Sequence, residues 1–387
     1  MKHLAPAYYG AFTCLADRCR DNCCIGWEIG IDPDTAAFYD SFPGETGDWL
    51  RSGITPPGTD RCFLPDARGR CRFLNEKKLC TAYLRVGEQA MAEICREHPR
   101  FHNWYADVLE TGLGLCCEET ARLILTTPGP FTLTELPDCP DEAEEPDPFL
   151  TVLRTVREMV FRFLENPALP LAERLRRLTS LGWTLQHHLA DPAGLPALCW
   201  ETIAKPAALA PLTETDGREL LTAARELERL SDEWETLLTL GESTPSAFLS
   251  PSASPEEEAE LARIGVYLIY RYFLPLALDG DLCSPLCFPE AALRLIRGLW
   301  QCGGAVRSIQ RQRIAQLFSK EIEYSEENRE EFCQAALSPS GSINHGKSQT
   351  TAQLGSPTGR KQEWIARTVA EEQARLGLVP ELPSPSQ

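Results

Sequence analysis

Cysteine is the residue type that dominates any chemistry this chain could carry out. Ten of its sixteen cysteines fall before residue 118, namely Cys14, Cys19, Cys23, Cys24, Cys62, Cys71, Cys80, Cys95, Cys116 and Cys117. Thiols at this density pair as disulfides, bind a metal or form a redox site, and each use implies a different class of protein. The first question is therefore which of the three uses the sequence favours.

The length and the first residues of the chain argue against a disulfide framework. A chain of 387 residues can bury a core without covalent crosslinks, which are typical of small secreted domains. Residues 1–12 contain no apolar stretch of signal-peptide length. We therefore expect a cytoplasmic protein in which most of these cysteines are metal ligands. The others are expected to be buried thiols that pack as small hydrophobic groups.

The spacing of the cysteines bears on which metal they would bind. Cys14, Cys19 and Cys23 lie within one or two turns of chain, whereas the thiols between residues 71 and 95 can meet only in a folded domain. A structural zinc site more often contains two Cys-x-x-Cys pairs, and this sequence has none. Iron–sulfur ligation needs four thiolates and tolerates irregular spacing. The spacing thus favours an iron–sulfur cluster slightly over zinc, which stays the alternative.

Two regions of different pattern must position these thiols. Residues 1–133 mix short apolar runs with turn signals, which predicts a cysteine-rich metal-binding domain of short helices and few short strands. Residues 134–148 are acidic and proline-rich, as in a linker. Apolar residues recur at helical spacing through residues 149–337, which predicts an all-α bundle and a mainly α fold class. Residues 338–387 are expected to be largely disordered.

Individual helices follow from the apolar period and from flanking caps and prolines. Ser254-Pro255-Glu256-Glu257 is a capping box with proline at the first helical position. The predicted helices cover residues 87–97, 117–125, 150–164, 171–189, 218–240, 254–272, 289–301 and 307–337, with a short one at 363–376.

Charge and hydropathy exclude two classes of partner. The net charge of −18 is unsuited to phosphate binding, which needs clustered Lys and Arg, so we expect no nucleic-acid partner. The most apolar stretch, residues 264–278, is interrupted by Arg271 and Pro275 and is too short to span a bilayer. We therefore interpret it as a buried core helix and expect no membrane partner.

Several residue strings resemble the flagellin lysine-N-methylase family. The strings are Cys14 with Cys19-Arg20-Asp21-Asn22-Cys23-Cys24-Ile25-Gly26-Trp27, Gly69-Arg70-Cys71 with Leu79-Cys80, Cys95 with Pro99-Arg100, Cys117 with Glu119 and Arg122, and Glu321 to Asn328. The likeness spans about residues 8–335. Among the departures from the family pattern, His98 stands where the family usually has Tyr, and Tyr324 where it has His.

The resemblance implies a cytoplasmic protein-lysine N-methyltransferase that uses S-adenosylmethionine and acts on flagellin or another lysine-bearing protein. It also implies a [4Fe–4S] cluster held by N-terminal cysteines. No dinucleotide-binding fingerprint or P-loop occurs, so the cofactor site follows from the resemblance alone.

Candidate roles can be assigned to side chains within the matching strings and near them. The candidate metal ligands are Cys14, Cys19, Cys23, Cys24, Cys71, Cys80, Cys95 and Cys117. The candidate catalytic carboxylates, which would take the lysine proton, are Asp21, Glu88, Glu119 and Glu323. The candidate cofactor-binding residues are Trp27, Arg100, Arg122 and Tyr324, because aromatic faces attract a sulfonium cation and guanidinium groups bind carboxylates.

A rival interpretation needs no catalysis. In it, zinc or iron holds the N-terminal domain together, and the helical bundle is a docking surface for a partner protein. Bound metal with no methyl transfer would favour this alternative.

Overall fold

The computed structural model describes residues 1–137, 145, 147–205, 214–249 and 254–337. Helices predominate and a small sheet accompanies them, so the predicted mainly α class is confirmed. The described residues form two compact units. The first unit draws on Met1–Glu145, Leu227–Thr244 and Leu299–Arg329, and the second on Pro146–Glu226, Pro245–Gly298 and the residues from Glu330 onward.

A four-stranded sheet lies in the first unit, with the strand order β2-β3-β1-β4. Its strands are β1 (Lys2–Pro6), β2 (Arg100–Trp104), β3 (Val108–Leu113) and β4 (Leu133–Glu135). Strand β1 pairs parallel with β3, while β2–β3 and β1–β4 are antiparallel. Strands β3 and β1 are each paired on both sides, and every residue of β3 is buried.

The helices of the first unit are short and follow the cysteine-bearing loops. Those that lie wholly within it are α1 (Pro33–Ser41), α2 (Gly44–Arg51), α3 (Thr81–Val86), α4 (Glu93–Glu97), α5 (Glu118–Thr126), α10 (Asp232–Ser243) and α13 (Ser308–Phe318). A π-helical turn, Ser319–Glu323, continues α13. Such turns are rare in proteins, and those that occur are often found at functional sites.

Long helices make up the second unit. They are α6 (Pro148–Leu164), α7 (Leu171–His187), α8 (Leu195–Ala204), α9 (Glu214–Glu226) and α11 (Pro255–Leu278), with most of α12 (Ser284–Cys302) and α14 (Glu326–Leu337). The Ser254 capping box is present, and α11 runs through Pro275 to Leu278. The predicted end at residue 272 was therefore too early.

Three of the predicted helices are not continuous in the structure. Residues 87–97 form a short 3₁₀ helix and then α4, residues 218–240 end one helix at Glu226 and begin another at Asp232, and residues 307–337 divide into α13, the π-helical turn and α14. The short helix predicted at 363–376 lies outside the described residues, as does the tail from residue 338.

Each of the two units draws on more than one stretch of the chain. Segments 227–244 and 299–329 pack with the N-terminal residues, although both belong to the region predicted as one helical bundle. The predicted boundaries at 133, 148 and 337 stay predictions.

Helix α11 is long and apolar enough, by length and composition, to cross a membrane. About two thirds of its most apolar window (67 %) is nevertheless buried inside the protein. A core helix passes the same test, so this one helix is weak evidence for a membrane span among the described residues.

Candidate metal centre and its surroundings

Short backbone pairings bring the cysteine-bearing loops of the first unit together. The Cys71 amide donates to the Cys24 carbonyl at 2.8 Å. Isolated bridges also join Ile25 to Arg70 and Leu74 to Cys80. The Cys71–Cys24 and Ile25–Arg70 contacts link segments that are more than forty residues apart, whereas the Leu74–Cys80 bridge is local.

An aromatic core supports the same loops. Tyr39, Phe63 and Phe73 pack edge to face, with ring centroids 5.7 to 6.3 Å apart. The buried Tyr39 hydroxyl donates to the Ala90 carbonyl at 2.6 Å. Four half-buried thiols pack against this core: Cys24, Cys71, Cys80 and Cys95. Rigid aromatic packing beneath the loops therefore fixes where these four sulfurs lie.

These thiols are also electrostatic neighbours of one another and of Cys23. Burial raises the pKa of Cys95, and with the contributions of the nearby Cys23, Cys71 and Cys80 thiols it reaches about 12. Burial likewise raises the pKa of Cys71 to about 11, with contributions from Cys80 and Cys23. We refer to Cys23, Cys24, Cys71, Cys80 and Cys95 as the thiol set.

Cys23 and Cys24 form an adjacent pair in which one thiol assists the other. The neighbouring Cys24 thiol lowers the pKa of Cys23, whereas Cys23 and burial raise the pKa of Cys24. The arrangement stabilises a thiolate at Cys23, and the thiolate is the form that binds metals.

The arrangement of the thiol set bears on the kind of metal centre that it could hold. Among the described residues, no three Cys, His, Asp or Glu side chains are grouped so that they could hold a metal ion. A zinc ion requires its thiolates to converge on one atom at about 2.3 Å. An iron–sulfur cluster binds each thiolate to a different iron, so its ligands stand further apart. The donor chemistry of the set, which consists of thiols alone, fits a cluster, and the choice between a cluster and zinc stays a prediction.

Cys19 and Cys117 lie together at a second position. Burial, the Glu118 carboxylate and the Cys117 thiol together raise the pKa of Cys19 to about 12. Glu118 accepts from the Cys19 thiol at 3.5 Å and from the Arg20 backbone amide at 2.7 Å. Cys117 caps the start of α5 and is an electrostatic neighbour of Cys23. These two thiols therefore adjoin the thiol set on the side of Cys23.

Cys14 differs from the other candidate ligands. It is exposed and accepts a hydrogen bond from the Ala16 amide at 3.4 Å. Every cysteine that the structure describes keeps a thiol rather than forming a disulfide. The ligand roles of all eight cysteines stay predictions.

Asp21 lies at the centre of a charged network. Its carboxylate accepts from the Lys320 ammonium at 2.9 and 3.0 Å, from the Arg313 guanidinium at 3.0 Å and from the Gln316 amide at 3.2 Å. Burial alone would raise the pKa of Asp21, but Lys320, the Asn22 amide and Arg313 outweigh it and hold that pKa below its usual value. A carboxylate held ionised in this way is a poor proton acceptor.

The other candidate carboxylates have separate partners. Glu119 forms a two-bond ion pair with Arg122, at 2.6 and 2.9 Å on the same helix. Glu323 is buried in the π-helical turn and accepts from the Ser319 hydroxyl. Glu88 lies in an exposed 3₁₀ turn. Their catalytic roles stay predictions, as does the cofactor-binding role of Arg122, which pairs with Glu119.

The candidate cofactor-binding side chains are divided between exposed and packed positions. Trp27 is 39 % exposed, and its indole N–H donates to the Cys23 carbonyl at 2.8 Å. Arg100 donates to the Tyr9 hydroxyl at 3.0 Å and lies over the Phe12 ring. Trp27 therefore presents an open aromatic face beside the thiol set, whereas Arg100 braces the N-terminal segment.

Tyr324 contacts the other departure from the family pattern. Its ring meets that of His98 edge to face, with centroids 6.4 Å apart. The two positions that the resemblance singles out as departures therefore contact each other. Tyr324 also covers Gly114, where an added Cβ would lie 2.0 Å from the phenolic oxygen.

Sequence reasoning missed the residues that hold Asp21. Lys320, Arg313 and Gln316 lie about 300 positions away along the chain. Glu233 also binds Arg313, with contacts of 2.5 and 3.1 Å. The only signal near them was the downstream string that begins at Glu321, and nothing in it indicates that its neighbours contact residue 21.

Comparison with known proteins supplies the family. The chain is 31 % identical over 143 residues to a lysine-N-methylase of Salmonella typhimurium, a match that covers 34 % of each protein. It is 30 % identical over 143 residues to the flagellar biosynthetic protein FliU of Salmonella muenchen, covering 34 % of this chain and 80 % of that protein. The chain belongs to the lysine-N-methylase and FliU family. The match spans about a third of the length of the lysine-N-methylases.

Two further comparisons add no second assignment. No family model matches the chain. No solved structure matches it. At the level of the family, the names of the relatives indicate a methyltransferase.

Proposed function

We propose that this protein is a cytoplasmic protein-lysine N-methyltransferase that moves a methyl group from S-adenosylmethionine to surface lysines of flagellin. We further propose that it holds a [4Fe–4S] cluster. Membership of the lysine-N-methylase and FliU family supports the reaction class. The observation that carries the proposal is the packing of four cysteines, from four separate chain segments, against one aromatic core.

The thiol set would hold the cluster. Cys71, Cys80 and Cys95 would supply three half-buried sulfurs from separate segments, and the Cys23–Cys24 pair would supply the fourth position. Cys19 and Cys117 adjoin the set and are the alternative source of a ligand. When bound, the cluster would supply Lewis-acidic iron, and S-adenosylmethionine would supply an electrophilic methyl carbon.

Methyl transfer sets a clear requirement on the protein. The lone pair of a neutral lysine nitrogen forms the new N–C bond while the C–S bond breaks and leaves its electron pair on sulfur. A free lysine has a pKa of about 10.4 and is protonated at neutral pH, so the site must desolvate it or accept its proton. The methylated nitrogen gives up one proton when it returns to the neutral state.

The side chains near the thiol set can meet parts of this requirement. The open face of Trp27 attracts a sulfonium or ammonium cation. Asp21 is unsuited to take the proton because Lys320 and Arg313 already neutralise it. Mutation of each remaining predicted carboxylate, Glu88, Glu119 or Glu323, would show which of them methyl transfer requires.

The test begins with the metal. Protein purified or reconstituted without oxygen is expected to bind iron and acid-labile sulfide, and Cys71→Ser, Cys80→Ser and Cys95→Ser to lose most of both. Cys62→Ser and Cys302→Ser are matched controls, because both thiols belong to the first unit and lie outside the thiol set. Equal iron content in all five variants would contradict the assigned ligands.

The reaction is tested separately with isotopically labelled S-adenosylmethionine and flagellin. Methyl-lysine read by mass spectrometry is the expected product. Bound metal in the absence of any transfer would instead favour the non-catalytic binding module.

A further inference from the structure

The segment that carries Cys19, Cys23 and Cys24 has little regular structure of its own. A short 3₁₀ helix, Ala16–Arg18, ends just before it, and no helix or strand begins between Cys19 and Pro33. Its position must therefore come from side-chain contacts. Lys78 donates to the Cys19 carbonyl at 2.8 Å, and Glu118 binds Arg20, so the start of the segment is attached to residues of the N-terminal part of the chain.

Asp21 attaches the next part of the segment to a distant element. Its two oxygens receive five hydrogen bonds, four of them from Lys320, Arg313 and Gln316 and one from the Asn22 amide. The side chains of Asp21, Lys320 and Arg313 are 17 to 21 % exposed. Charge-assisted hydrogen bonds with this degree of shielding are stronger than surface ion pairs.

The partners of Asp21 are themselves held in place. Gln316 donates to the Cys116 carbonyl at 3.1 Å and accepts from Arg313 at 2.9 Å. Arg313 also binds Glu233 through two contacts. Lys320 lies in the π-helical turn, next to Glu321, which accepts from the Leu230 amide at 2.7 Å. The network is therefore a fixed support rather than a set of mobile surface charges.

We propose that Asp21 is a positioning residue, which fixes the Cys23–Cys24 pair by binding the end of α13 and the π-helical turn. Asp21 is two residues from Cys23 and three from Cys24, so its place determines where these sulfurs lie. Lys320 and Arg313 are its partners in this role. That the positioned sulfurs serve a cluster rests on the proposed function, whereas the attachment of the segment does not.

The main experiment uses hydrogen exchange in the metal-free full chain. Asp21→Asn keeps the shape of the side chain but removes its charge. We expect amide exchange in residues 21–27 to become about tenfold faster, in line with the loss of charge-assisted hydrogen bonds. Lys320→Met removes one partner and is expected to have a smaller effect, while Lys320→Arg keeps the charge and should restore slow exchange.

The second readout is the metal centre. Asp21→Asn is expected to lose bound iron and to change the visible circular dichroism of what remains, because two candidate ligands would no longer be held. Asp40→Asn is the matched control, since it removes another carboxylate–arginine pair of the first unit, at 2.8 Å from Arg61. It should leave both iron content and exchange at residues 21–27 unchanged.

Unchanged exchange at residues 21–27 in both Asp21→Asn and Lys320→Met would overturn the proposal. Faster exchange with iron binding identical to that of the wild type would confirm the attachment and overturn the role of the Cys23–Cys24 pair as ligands. A wild type that binds no iron would count against the proposed function, and the exchange measurement would still decide whether Asp21 fixes the segment.

Discussion

At the scale of single residues, the structure changes the meaning of Asp21 and of the Cys23–Cys24 pair. The sequence presents Asp21 as one of several carboxylates that could take a proton. Its contacts with two cations instead favour a structural attachment beside the thiols. The adjacent cysteines influence each other, because Cys24 lowers the pKa of Cys23 while Cys23 raises that of Cys24.

Gly114 provides a residue-scale test of the Tyr324 contact. An added Cβ would lie 2.0 Å from the Tyr324 hydroxyl oxygen and 2.8 Å from its ring. We expect Gly114→Ala to lower the free energy of unfolding by about 1–3 kcal/mol, because an overpacked site must shift its neighbours. Chemical denaturation measures the change.

The control is Gly10→Ala, since an added Cβ at Gly10 meets nothing within 4 Å. Adding Tyr324→Ala to Gly114→Ala should recover part of the loss, because the clashing ring is removed. If Gly114→Ala and Gly10→Ala were equally stable, Tyr324 would not cover Gly114 in solution.

At the scale of elements, local signals located helix starts better than helix interruptions. Ser254 and Asp32 cap α11 and α1 as their residue types suggest. The interruption between α9 and α10 has a distant cause. Glu321 accepts from the Leu230 amide and the Ser231 hydroxyl, so these groups bind a carboxylate about ninety residues away instead of continuing a helix.

Asp32 gives an element-scale prediction with a defined pH dependence. Its carboxylate accepts from the Thr35 amide at 2.9 Å and from the Glu93 amide at 2.8 Å, so it joins the starts of α1 and α4. We expect Asp32→Ala to lower the free energy of unfolding at neutral pH by about 1–2 kcal/mol, the usual effect of losing a cap. Denaturant titration at several pH values measures it.

The pH dependence follows from the direction of the pKa shift. Burial tends to raise the pKa of Asp32, but the Glu93 and Thr35 donors hold it below the usual value. A carboxyl with a lowered native pKa stabilises the fold above its unfolded pKa of about 3.9, and that stabilisation is lost as the pH falls through the native value. The deficit of Asp32→Ala should therefore shrink below about pH 4. A deficit that stayed constant there would contradict the ionised cap.

At the scale of the whole molecule, the first unit is discontinuous in sequence. Residues 227–244 and 299–329 complete it, and they supply Glu233, Arg313, Gln316 and Lys320 to the Asp21 network. Sequence composition cannot reveal this arrangement, because both segments have the same helical pattern as their neighbours.

A fragment of residues 1–133 tests this arrangement. It matches the predicted cysteine-rich domain but lacks both completing segments, so we expect it to unfold without the cooperative transition of the full chain. Circular dichroism during thermal unfolding and limited proteolysis measure this. A fragment as cooperative and protease-resistant as the full chain would show that residues 1–133 fold independently.

The sequence by itself determined the mainly α class, the starts of five of the described helices, the family strings and the residue types available for a metal centre. These follow from local periodicity, capping chemistry and the identity of the side chains. Only the tertiary structure decided which thiols meet, that Cys24 assists Cys23, and that Asp21 faces Lys320. Such contacts join residues up to about 300 positions apart, and their partners are chosen by packing and charge in three dimensions rather than by neighbours along the chain.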